Sequence, residues 1–163
     1  MKAALTLWAI MALANIVGAE TQSNAPARTP EELGHRVAWA LIKADTNGID
    51  ILIAPYEAFL PLYKIATNYN EAIARQHYFK QMTELKSEVG SFPSEFTTAT
   101  SSTVDQINGV DVLLQKSKTR TNWTDVEIVF KVNDLKFFLN LDECLCFSNA
   151  WYLTDLDSIR KEK

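Results

Sequence analysis

His77, Glu84, Cys144, Cys146 and Asn122 are the residues of this chain whose types and spacing could do chemistry. On a helix running from Tyr69 to Val89, His77 shares one flank with Gln81, Glu84 and Glu88, beside an apolar stripe. A histidine with a carboxylate two turns away, both facing a cavity, would be an acid–base pair for proton transfer in a small isomerase or hydrolase. The same flank facing water would be an ordinary polar helix surface. His35 lies beside Arg36, off the stripe of the first helix, and reads as a surface residue. Two distant histidines and a Cys-x-Cys pair give no zinc spacing, so no metal and no other cofactor is expected.

Cys144 and Cys146 are two apart in a strand, which sets their Cβ atoms about 6–7 Å apart on one face. A disulfide needs about 3.5–4.5 Å, so a bridge is disfavoured and two small buried hydrophobes are the plainer reading. An oxidising compartment and a bulge just before the pair would keep the bridge open. Asn122-Trp123-Thr124 fits the glycosylation sequon and lies in a loop. Serine nucleophile elbows and glycine-rich phosphate loops are missing, and five glycines leave little material for them.

These residues need a scaffold, and composition bounds it. The 163 residues are 47% hydrophobic, with 5 Gly, 5 Pro and 2 Cys, which excludes a disordered chain, collagen and a disulfide miniprotein. Sixteen Lys+Arg against 20 Asp+Glu make a nucleic-acid surface an unsuitable reading. Lys2, the apolar run from Ala3 to Val17, and Val17-Gly18-Ala19 before Glu20 have the arrangement of a cleavable secretory signal. The run is shorter than the about 20 residues that span a bilayer. Removing 19 of 163 residues leaves 144, and one lysine leaves with them, so the net charge moves from −4 to −5. The expectation is an exported protein, periplasmic or secreted, with no membrane contact after cleavage.

Residues 20–28 are polar and read as a flexible leader, 29–159 as one domain, and 160–163 as a tail. Thr29-Pro30-Glu31-Glu32 is a capping-box helix start, and Leu33, Val37, Ala40, Leu41 and Ala44 recur at helical spacing up to Asn47-Gly48. Residues 49–54 could be strand or helix, and 56–66 look helical with a disturbance at Pro61. Ala74, Tyr78, Met82, Leu85 and Val89 form the stripe of a longer helix, which Gly90 should close. Phe92 to Thr103 then reads as a Ser/Thr-rich connector.

Beyond Asp105 the period changes to two. Val110 to Lys116 reads as a strand, followed by a polar loop with Lys118, Arg120 and Asn122. Asn133-Asp134 is a two-residue turn that pairs Val132 with Leu135, Phe130 with Phe137, Ile128 with Leu139 and Val126 with Leu141. All four pairs are apolar. A second hairpin turns at Ser148-Asn149 and sets Cys146 against Trp151 and Cys144 against Leu153. Strict alternation would bury Glu143, so a bulge is required near Asp142-Glu143. The outer face carries Val129 opposite Phe138 and Lys131 opposite Lys136. It is either a homodimer surface or covered by a helix or the tail.

The fold class is therefore α+β, with N-terminal helices packed on a curved four-stranded antiparallel meander. The residues 126–131, 136–144 and 149–153, with a polar turn followed by Trp and an apolar strand, resemble the closing strands of the cystatin-like roll, the fold of nuclear transport factor two. The stretch 40–159 is also similar to small exported bacterial proteins of unknown function. The resemblance implies a roll whose relatives include isomerases, dehydratases, transport adaptors and binding modules. The Gln-x-Val-x-Gly loop of cystatin-type protease inhibitors is missing.

Two functions remain. One is a binding or interaction protein rather than an enzyme, holding a partner protein or apolar small molecule between helices and sheet. Tyr78, Met82, Phe130, Phe137 and Trp151 would line that space, and the same five would also make an ordinary core. The other is an enzyme in the same cavity using His77 and Glu84.

Overall fold

A computed structural model describes residues 25–65, 69–116 and 122–161; the signal expected at 1–19 and most of the polar loop before Asn122 lie outside them. The order is three α-helices followed by a curled antiparallel sheet that forms a half-barrel, the α+β arrangement expected from the change of period.

Helix α1 spans Pro30–Lys43. Thr29 caps it by accepting from the Glu32 amide at 3.1 Å, and the Glu32 carboxylate accepts from the Arg28 amide at 2.8 Å. Leu33, Val37, Ala40 and Leu41 are buried as the spacing requires. The helix ends earlier than Asn47-Gly48. Ala44 takes the left-handed conformation at φ 50°, and Gly48 instead accepts its place in a short 3-10 turn, Gly48–Ile51, where its amide donates to Asp45. Residues 49–54 are thus neither strand nor α-helix; Ile53 makes only a single parallel bridge to Leu153. Helix α2 spans Tyr56–Ile65 with Pro61 inside it.

Helix α3 spans Glu71–Thr100 and departs most from expectation. It runs through Gly90 and Pro93, so Phe92–Thr100 is helix and not connector. The reason is the apolar stripe, which continues beyond Val89 to Phe92 and Phe96 at the same steps of three and four. Both rings pack on Phe130 of the sheet, at 5.4 and 5.6 Å between centroids. Burying two phenylalanines outweighs the helix cost of one Gly, about 1 kcal/mol, and one Pro, about 3 kcal/mol. The hydroxyls of Thr97, Thr98 and Thr100 donate to carbonyls of their own helix, at Pro93, Ser94 and Phe96.

The sign of one substitution follows. Gly90 does not have a positive φ, and a Cβ built there meets nothing nearer than Thr46 at 3.5 Å. Gly90→Ala should therefore stabilise by about 0.5–1 kcal/mol in chemical denaturation. A glycine closing the helix in the left-handed region would give a loss instead.

The sheet contains β1 (Gly109–Lys116), β2 (Trp123–Val132), β3 (Leu135–Phe147) and β4 (Ala150–Tyr152) as a meander, with two short strands β5 (Asp155–Leu156) and β6 (Arg160–Lys161) also paired to β3. All four hairpin pairs about Asn133-Asp134 have the expected register. The expected bulge is present: Thr124 pairs with Cys144 and Val126 with Leu141, leaving Asp142 and Glu143 opposite Asp125. Glu143 sits at φ 52°, and its amide donates to Asp125 at 3.2 Å.

In the second hairpin Cys146 faces Trp151, but the ladder stops at Tyr152 and Cys144 does not face Leu153. The bulge aims the carbonyls of Asp142 and Glu143 at the Thr154 hydroxyl, 2.9 and 3.0 Å away. Leu153 turns off to Ile53. Packing also reaches beyond residues 29–159. Ala27 is fully buried and its carbonyl accepts from the Trp151 amide, and Arg160 of β6 pairs with Phe138.

Candidate functional site

Large aromatic side chains pack the middle of the layer between helices and sheet. Phe96, Phe130 and Phe137 interlock there, with Phe96 5.6 and 5.9 Å from the other two rings. Met82, Phe130 and Phe137 are core residues, while Tyr78 and Trp151 are half-buried against that core. The Tyr78 hydroxyl donates to the Ala54 carbonyl at 3.0 Å, and burial pushes its pKa up. The five expected lining residues therefore do come together, as packing.

His77 and Glu84 are both exposed on α3. Seven residues separate them, about 10.5 Å of helix rise, too far for a proton to pass directly. Glu84 pairs with Lys80 at 3.5 Å instead. Gln81, on the same flank, donates to the Thr154 carbonyl at 3.1 Å and so ties α3 to the end of the sheet. His35 is half-buried in α1.

Cys144 and Cys146 are both free thiols. Cys144 is fully buried, and desolvation followed by the nearby Asp125 charge drives its pKa far up, which makes it a poor nucleophile. Asn122 is exposed immediately before β2 and its carbonyl accepts from the Cys146 amide. On the outer face Val129 is buried at 3% exposure, and Arg160 reaches across to Glu127 at 2.6 Å. Lys131 is drawn to Asp111 at 2.5 Å, away from the opposed Lys136.

Open space remains at the edge of that layer. A groove of about 370 Å³ runs between the C-terminal half of α3 and residues 156–159, with Leu41, Phe92, Leu139 and Ile159 as its apolar walls and Glu88, Glu95 and Asp157 also lining it. A smaller groove of about 160 Å³ lies among Phe59, Leu62, Trp123, Asp142, Glu143 and Asp155. Burial first, then Asp155, Glu95 and Glu84, raise the pKa of Glu88. Burial first, then Asp125, Asp157 and Asp155, raise that of Asp142. Among the described residues no group of His, Cys, Asp or Glu could hold a metal ion, and no helix is long and apolar enough to cross a membrane.

A raised carboxyl pKa means that the folded chain binds protons more tightly than the unfolded one. Its stabilising contribution is present below the usual carboxylate range and is lost as pH rises through the folded value. The double variant Glu88→Gln, Asp142→Asn should accordingly melt higher than the parent at pH 7, with the gap closing as pH falls into that range. Equal melting at pH 7 would contradict this coupling.

Neither groove was legible as a site in sequence. Glu88 stood out only as a neighbour of His77, and residues 156–159, which line the same groove, lie more than sixty positions away. Compared with family models, curated proteins and solved structures, the chain matches none.

Proposed function

We propose that this chain is an exported, non-enzymatic binding module of the cystatin-like roll type, which holds an apolar ligand group in the groove between α3 and residues 156–159. The observation that carries this reading is an opening of about 370 Å³ over Leu41, Phe92, Leu139 and Ile159, beside a cluster of buried apolar residues. Export rests on Lys2, the apolar run to Val17 and the small residues before Glu20. The roll rests on the order of helices and meander. The groove is lined by no His, Cys or Lys, and His77 lies outside it.

Nile red, an uncharged dye that brightens in apolar surroundings, tests the reading. Ala99 lines the groove and is exposed, so Ala99→Trp fills the opening while sparing the core. The dye should bind the parent and lose at least about tenfold in affinity for the variant, given the lost contact area. Binding unaffected by Ala99→Trp, or no binding to the parent, would refute the groove.

A further inference from the structure

The charge around the groove narrows its occupant. Glu88, Glu95 and Asp157 line it, and no Lys, Arg or His does. The smaller groove repeats the pattern with Asp142, Glu143 and Asp155 beside Phe59 and Trp123. Asp155 lines one groove and Leu156 the other, so the two-residue strand β5 is the wall between them. The nearby cations are engaged elsewhere: Lys86 with Asp50 at 2.6 Å, Lys80 with Glu84, and Arg160 with Glu127.

These carboxylates act on one another across the wall. Asp155 raises the pKa of Glu88 on one side and of Asp142 on the other, and Asp157 also raises that of Asp142. A cation placed along the rim relieves this repulsion, and an anion adds to it. An uncharged apolar group gains only the floor.

We propose that the two grooves together bind a basic, amphipathic peptide segment in extended form, crossing β5. Its apolar side chains lie on the two floors and its Lys or Arg side chains meet the carboxylates at the rims. Alternation suits such a segment, because every second side chain of an extended chain points the same way. The inference rests on the groove reading above and adds the chemistry of the partner.

Three labelled hexapeptides test it by fluorescence anisotropy: alternating Leu–Lys, Leu–Ser and Leu–Glu. The Leu–Lys peptide should bind at least about tenfold more tightly than Leu–Ser, and Leu–Glu more weakly than either. Raising salt from about 0.05 to 0.5 M should remove most of that preference. The triple variant Glu88→Gln, Glu95→Gln, Asp157→Asn should remove a large part of the Leu–Lys preference, the carboxylates of the smaller groove keeping the rest. It should melt no lower than the parent, so that the loss is not unfolding. Equal binding of Leu–Lys and Leu–Ser, with Nile red displaced by both, would overturn the charge inference and leave the groove reading standing. Failure of all three peptides and of Nile red would overturn both.

Discussion

Replacing Phe96 with alanine lowers the unfolding free energy by about 3–5 kcal/mol, measured by denaturant titration. Phe96 is fully buried, and its ring meets Phe130 at 76° and Phe137 at 70°, the edge-on contacts that aromatic pairs favour. Truncation removes the apolar area and leaves a cavity between α3 and two strands that cannot close over it. Domains of this size have about 5–15 kcal/mol in total, so the variant sits near the edge of stability. The same substitution in an exposed Ser/Thr connector would change stability by less than about 0.5 kcal/mol. A small effect would therefore return residues 92–100 to a loop and detach α3 from the sheet.

A still larger effect is expected at Leu139. It is 2% exposed, paired with Ile128, and faces the helices. Leu139→Asp places an unpaired carboxylate in that layer, and the cost, more than about 4 kcal/mol, should leave no cooperative thermal transition in circular dichroism. Asn140 is the next residue and points to the opposite face, where it meets Arg160 at 3.5 Å. Asn140→Ser should cost less than about 1 kcal/mol. The contrast reads the register directly. A slip of one residue would put Leu139 on the outer face, and Leu139→Asp would then be about as mild as Asn140→Ser.

Why the hairpin could be read and the end of α3 could not is a matter of redundancy. Four apolar pairs and a two-residue turn all specify one register, and the Glu143 bulge follows from the need to keep that residue out of the core. Gly90 and Pro93 carry local signals for a helix end, while the opposing signal lies in the sheet. Phe92 and Phe96 remain helical because Phe130 and Phe137 receive them, and that contact joins residues about forty apart. Ala44 shows the converse. It closes α1 in the left-handed region although Asn47-Gly48 offered better residues three positions later, because the buried part of the stripe ends at Leu41.

The site was less accessible than the fold for a similar reason. Tyr78, Met82, Phe130, Phe137 and Trp151 could be grouped from periodicity, but periodicity cannot tell a lined cavity from a filled one. The groove arises where β5 and β6 fold back along β3, and those strands are two residues each, too short to leave a pattern. Glu88, Glu95 and Asp157 look in sequence like scattered solvated acids. Only their convergence beside Phe92 and Ile159 makes them a rim.

The most direct test of the groove is a heteronuclear NMR titration of the ¹⁵N-labelled protein with Nile red. Amide shifts should cluster at Leu41, Glu88, Phe92, Leu139 and the segment Leu156–Ile159, and they should vanish in Ala99→Trp. Shifts centred instead on the exposed flank of His77 and Glu84, or no saturable shifts at all, would contradict it.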